Sequence, residues 1–172
     1  DNMALPFTHH SRLGFVYFAQ LNNLLRKEVI TEAHKTSLLL SVKSISTKMK
    51  TDAYQVKLGK KSLSSFLDIY GHIRAGNYNL SSSNLKNNLE FTELLIHNSE
   101  PQDENISLQK VIFSNIDKYF ELNNIPYNAS AWVEMFQTAI ATRENSKFYY
   151  TKGIDGILNE IEEQNISCLL YT

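Results

Sequence analysis

Apolar side chains recur at steps of three and four residues along most of this chain, and this spacing places them on one face of an α-helix. The clearest stripe consists of Leu38, Val42, Ile45 and Met49. Turn-forming residues are scarce, with six Gly and three Pro among 172 residues, whereas sheet proteins use more of both. We therefore predict an all-α fold: a compact bundle of about six to seven helices, with room for one minor strand.

Capping residues and turn signals divide this pattern into helical segments. The predicted helices span 11–28, 31–50, 62–75, 83–98, 105–122, 128–146 and 154–164, with a link at 147–152. Ser11 is the expected cap of the first helix, and Thr31 that of the second, with Glu32 in its first turn. The segment 51–61 fits a helix or a short strand. The helix after Ser83 is apolar on nearly all sides, which is typical of a central, buried helix.

The length suits one domain, and neither a Gly- or Ser-rich linker nor a repeat of solenoid length divides the chain. We predict a single helical domain over residues 1–172. The last residues, 166–172, are mostly apolar, whereas natural termini are usually polar, so the domain is expected to be part of a longer chain.

Charge is distributed unevenly along the chain. Residues 26–61 carry nine Lys or Arg against three acidic residues, a net charge of +6, while residues 62–172 carry a net charge of −7. Such asymmetry points to an anionic partner. The residues predicted to contact it are Lys43, Lys50, Lys57, Lys60 and Lys61. Lys43 and Lys50 would share one helical stripe, and the other three would lie in the adjoining loop.

Two interpretations of the basic segment stay open. It contacts phosphates of a nucleic acid or an acidic protein surface, or it is a solvated face that balances the acidic half of the molecule. The second interpretation is the more common one for a run of charges. A helix-turn-helix over 30–50 is disfavoured, because no Gly or other turn signal divides that segment.

Residue patterns typical of catalysis or metal binding are absent from the sequence. There is no Gly-x-Ser-x-Gly or His-Glu-x-x-His motif, and Cys168 is the single cysteine, too few for a disulfide or a cysteine-based zinc site. The five histidines are not spaced as helical zinc ligands. We therefore expect no cofactor and no metal.

The leading functional hypothesis is a non-enzymatic helical interaction module, an adaptor, effector or regulatory domain that binds another protein, with helix-in-groove docking as its mode. The first alternative is a nucleic-acid-binding protein that uses the basic segment 26–61, and the second is an enzyme with an unfamiliar site. No run of about 18 to 20 apolar residues predicts a membrane span. A single cysteine favours the reducing cytoplasm.

Overall fold

A computed structural model describes residues 4–74, 82–101 and 108–164, with side chains from residue 7 onward. These residues form seven α-helices and no strand, which confirms the all-α prediction. Arg74 and Asn84 form an isolated antiparallel β-bridge that belongs to no strand. The helices are α1 (Ala4–Arg26), α2 (Glu32–Leu40), α3 (Ile45–Lys57), α4 (Leu63–Tyr70), α5 (Leu89–His97), α6 (Lys110–Leu122) and α7 (Ala129–Glu163).

Contacts divide the chain into two compact units. Unit 1 comprises Asp1–Lys48 and Gln102–Ser146, and unit 2 comprises Met49–Pro101 and Lys147–Thr172. The boundaries between the units fall within α3 and α7, so each of these helices contributes residues to both units. The prediction of one domain over the whole chain stays a prediction.

Unit 1 is built around an apolar core to which α1, α2, α6 and the first part of α7 contribute. The core side chains are Leu21, Leu24, Ile30, Leu38, Val42, Ile112, Ile116, Phe120, Ala129, Trp132, Val133 and Phe136. Trp132 stacks on Phe136 with 5.5 Å between ring centroids. Its indole N–H donates to Gln20 Oε1 at 2.8 Å, so the one polar atom of this buried ring is satisfied.

Unit 2 has an aromatic core that includes Phe66, Tyr70 and Phe148. The ring centroids of Phe66 and Tyr70 lie 4.9 Å apart, and those of Tyr70 and Phe148 lie 6.0 Å apart in an edge-to-face arrangement. Aromatic pairs at these separations add to the stability gained from burial alone. Unit 2 also buries the polar side chains of His72, Asn84, Thr92 and Asp155.

The predicted second helix, over 31–50, is wrong because the chain leaves the helix between residues 41 and 44. Thr31 caps α2 as predicted, accepting a hydrogen bond from the His34 backbone N–H at 3.2 Å. Ser44 precedes the first residue of α3, and its backbone N–H donates a hydrogen bond to the Thr47 hydroxyl oxygen at 2.7 Å. Hydrogen bonds by serine and threonine side chains thus supply the turn that no glycine announces. Residues 51–57, left open between helix and strand, belong to α3.

The predicted link at 147–152 is also wrong, because α7 continues through it without interruption. Helix α1 begins at Ala4 rather than at Ser11, which lies inside the helix. Pro6 permits this early start, because the amides of a first turn need no intrahelical partner. Helix α7 starts near its predicted position, and Asn128 Oδ1 accepts the Ala131 N–H at 2.8 Å. Helix α6 starts at Lys110, later than predicted, and the predicted cap, Asn105, lies outside the described residues.

Two further helices differ from their predictions. Helix α4 starts close to its predicted position, with Ser62 as its cap, but ends at Tyr70, well before the predicted end at residue 75. Helix α5 begins at Leu89 with Asn88 as its cap, so Ser83 is not the cap. The prediction that α5 is buried on all sides is wrong, since Leu89 and Leu94 are 52% and 57% exposed. The buried residue of α5 is a polar one, Thr92.

Candidate functional site

The five lysines predicted to contact an anionic partner are divided between the two units, with Lys43 in unit 1 and the other four in unit 2. Lys43 lies in the link before α3 and belongs to unit 1, so the prediction that it shares a helical stripe with Lys50 is wrong. Lys50 and Lys57 lie seven residues apart on α3, where two helical turns bring them to one face. Lys60 and Lys61 lie in the loop that leads to α4, as predicted, whereas Lys57 is the last residue of α3.

Two of these lysines have partners within unit 2. The Lys61 Nζ atom lies 2.7 Å from Asp52 Oδ2, and that same oxygen accepts the Tyr70 hydroxyl at 2.8 Å. Burial first, and the Asp52 contact second, raise the pKa of Tyr70 well above its usual value, so Tyr70 remains a hydroxyl donor. The Lys57 ammonium donates to the Ser99 carbonyl at 2.9 Å. Lys61 and Lys57 are therefore both engaged by other residues of unit 2.

Unit 1 contains an apolar cleft between α1 and α7, which we call the α1–α7 cleft. It has a volume of about 430 Å³, within the range of ligand and anchor-residue pockets. Its apolar wall consists of Leu13, Tyr17, Met135 and Ala139, and its titratable side chains are His10 and Glu134. The neighbouring side chains Thr138 and Thr142 complete the lining.

Apolar side chains beside this cleft are unusually open to solvent. Leu13 and Val16 on α1 are each 52% exposed, and Met135 on α7 is 43% exposed. The sequence places Leu13, Val16 and Met135 inward, on the stripes of their helices, and the structure corrects this prediction. The sequence of α1 already indicated such exposure, because the consecutive apolar residues 15–18 cannot all face one core. Exposed apolar surface, where it is contiguous, is typical of interaction sites.

A second cleft in unit 1 contains Lys43, and we call it the Lys43 cleft. Its volume is about 500 Å³. Leu108, Phe113 and Ala141 form its apolar lining, and Ser41, Gln137 and Thr138 accompany the lysine as polar lining. Thr138 therefore lines both clefts, one on each side of α7.

A close serine–histidine pair in unit 1 bears on the enzyme hypothesis. Ser146 Oγ and His10 Nδ1 lie 2.6 Å apart, a distance suited to a nucleophile and its base. Catalysis of acyl transfer also needs free donors for an oxyanion, but Ser146 lies inside α7, where helical hydrogen bonds engage the backbone amides. In the described residues no third side chain orients His10. The pair connects α1 to α7 within unit 1.

Unit 2 contains a buried polar cluster on the inner face of α7. Asp155 Oδ1 accepts from Arg74 at 2.6 Å and from the Asn84 amide at 3.1 Å. The His72 Nε2–H donates to the Phe148 carbonyl at 3.2 Å, and burial lowers the pKa of this imidazole. Within the described ranges every buried side-chain nitrogen and oxygen has a partner. The cluster is thus a satisfied structural network with no group left to bind a ligand.

In the parts of the chain that the structure describes, His, Cys, Asp and Glu side chains form no group of three that could hold a metal ion. Cys168 lies outside the described residues. None of the described helices combines the length and the apolar character that crossing a membrane requires. Comparison with known protein families, with curated proteins and with solved structures finds no match for this chain.

Proposed function

We propose that this protein is a non-enzymatic interaction module whose α1–α7 cleft binds the apolar face of an amphipathic helix from another protein. The observation that carries the proposal is the solvent exposure of two apolar side chains that line this cleft, Leu13 and Met135. Burying such side chains against a partner stabilises the complex by roughly 25 cal/mol for each Å² of apolar surface removed from water. An adaptor, effector or regulatory role fits this chemistry, and the single cysteine favours the cytoplasm as its location.

The charge pattern around the cleft also favours an apolar occupant. Helix α1 has no charged residue between Arg12 and Arg26, a stretch of more than three turns. A partner helix that lies along this stretch therefore does not strip water from a charged group of α1 itself, which is a costly step in forming an interface. His10 and Glu134 lie in the cleft lining, where polar residues of the partner can pair with them.

Site-specific photo-crosslinking tests the proposal. A benzoylphenylalanine replaces Met135 in the cleft, and the control protein carries it at Ile157, an apolar residue of α7 in unit 2 that is 61% exposed. After irradiation in an extract of the native cell, we expect an adduct from position 135 whose partner peptide has apolar residues at helical spacing. Identical adducts from both positions, or none from position 135, would contradict the proposal.

A second candidate function is nucleic-acid binding by unit 2, and α3 supplies the observation that favours it. Lys50 and Lys57 share one face of this helix, both are exposed, and the exposed Lys60 follows them.

Binding to a labelled DNA duplex and a labelled RNA at several salt concentrations tests this second candidate. The variant is Lys50→Glu/Lys60→Glu, which leaves the Lys61–Asp52 ion pair intact, and its control is Lys110→Glu/Lys118→Glu on α6. A phosphate-binding surface loses affinity steeply between about 50 and 200 mM salt. Only the first variant is expected to reduce both the affinity and the salt slope. Equal behaviour of the two variants excludes this function.

A further inference from the structure

The Lys43 cleft combines one cationic group with an apolar wall. Phe113 and Leu108 provide apolar surface, while the polar lining includes Gln137 and Lys43. Its volume of about 500 Å³ suits a small organic molecule. A cleft with one positively charged residue and apolar walls suits a molecule that has an anionic group on an apolar body.

The backbone that bears Lys43 is held in place on both sides. The preceding residue, Val42, is buried, and its carbonyl accepts the Thr47 hydroxyl at 3.3 Å. On the other side, the Ile45 backbone N–H donates to Asn145 Oδ1 of α7 at 3.0 Å. The stem of Lys43 therefore starts from a fixed point, which reduces the entropy lost when its ammonium binds an anion.

The polar floor of the cleft is also oriented before any ligand arrives. The Gln137 Nε2 donates to Ser41 Oγ at 2.8 Å, and the Ser41 hydroxyl donates to the Leu38 carbonyl at 2.7 Å. This chain of hydrogen bonds fixes the Gln137 side chain and leaves the second Nε2 hydrogen of its amide for another acceptor. A carboxylate oxygen is such an acceptor.

The Lys43 ammonium has neither an ion pair nor a hydrogen bond within the described part of the chain. Glu144, an acidic residue of the same unit, is already occupied, because its two carboxylate oxygens accept from Arg143 at 2.6 Å and from the Ser46 hydroxyl at 3.1 Å. The positive charge of Lys43 is thus available to an external anion.

We propose that the Lys43 cleft binds a small amphipathic carboxylate, with its carboxylate on the Lys43 ammonium and the Gln137 amide and its aryl or alkyl body against Phe113 and Leu108. A phosphate ester is a poorer match, because it calls for several convergent donors such as Arg or a free helix N-terminus. One ammonium and one amide match the single charge and two oxygens of a carboxylate.

Titration with 2-naphthoate, followed by the amide resonances of the ¹⁵N-labelled protein, tests this proposal. We expect saturable shifts at Lys43, Gln137 and Ala141. The neutral isostere 2-naphthylmethanol is expected to bind at least about threefold more weakly, because it cannot pair with the ammonium. Lys43→Gln should remove that preference for the anion, while the control Lys110→Gln, an exposed lysine on α6, should retain it.

Three outcomes overturn the proposal. The first is equal affinity for the acid and the alcohol in the unchanged protein, and the second is a preference for the acid that survives in Lys43→Gln. The third is a set of shifts confined to Leu13 and Met135, which would place the probe in the α1–α7 cleft by apolar contact alone. Since this test does not involve a protein partner, it stands or falls independently of the proposed interaction function.

Discussion

At the scale of single residues, polar groups hold unit 2 together from inside. Asp155 is 7% exposed and accepts hydrogen bonds from Arg74 and Asn84, which come from a different part of the chain. Nothing in the sequence distinguishes Asp155 from the solvated acids that follow it on α7. Its role depends on the pairing of residues 71–74 with residues 84–86, which helical periodicity does not encode. The sequence could not predict this cluster for that reason.

Replacing Asp155 by alanine tests the importance of the cluster. Asp155→Ala leaves the Arg74 guanidinium without its carboxylate in a poorly hydrated site, and removing one partner of such a pair typically costs about 3 to 5 kcal/mol. We expect a loss of that order in the free energy of unfolding, measured by urea denaturation. Glu162→Ala, at an exposed position of the same helix, is the control and should change it by less than about 0.5 kcal/mol.

Acidification should destabilise the fold through His72. Burial lowers its pKa in the folded protein, so below the unfolded value of 6.5 the unfolded chain binds the proton more readily. The contribution of His72 to the free energy of unfolding is therefore fully present above pH 6.5. It is lost as the pH falls below that value, by at most about 1.4 kcal/mol per pH unit for one proton. Urea denaturation at pH 7.5 and 5.5 should show a smaller difference for His72→Gln than for the unchanged protein. Equal differences would refute this role of His72.

At the scale of helices, local signals were readable and long-range ones were not. Thr31 caps α2 as the sequence predicts, and Asn128, one of the two caps that the sequence allows for α7 beside Ser130, forms its cap hydrogen bond, because a cap depends on residues within one turn. The continuity of α7 was missed, since Gly153 and Gly156 favour a break when read alone. Burial of Phe148 and Asp155 among the other residues of unit 2 keeps this stretch helical despite its glycines.

Two glycine substitutions test this account of α7. Gly156→Ala adds a methyl group that meets no atom within 4 Å, so it should stabilise the protein by about 0.5 to 1 kcal/mol through the unfolded state and helix propensity. Gly14→Ala in α1 is the contrasting case, because its new Cβ would lie 2.5 Å from Arg143 Cδ. That change should displace Arg143 from the Phe15 ring and give no gain. Thermal unfolding of both variants provides the comparison; a stabilising Gly14→Ala would contradict it.

At the scale of the whole molecule, composition and spacing were enough for the all-α class. The site could be predicted only in part. Lys43 was identified from charge alone, and the structure adds the cleft around it. The α1–α7 cleft was missed because periodicity assigns every apolar residue of a stripe to the core. Whether Leu13 is buried depends on which helices pack nearby, and that information is not local.

The central claim is that the α1–α7 cleft binds an apolar helix, and the most direct test is affinity for the partner peptide recovered from the crosslink at position 135. Fluorescence anisotropy should show at least about tenfold weaker binding to Leu13→Asp, because a charge would be buried in the interface. Ile157→Asp should bind as the unchanged protein does, and circular dichroism should confirm that both variants are folded. Unchanged affinity of folded Leu13→Asp, or an equal loss in Ile157→Asp, would contradict the claim.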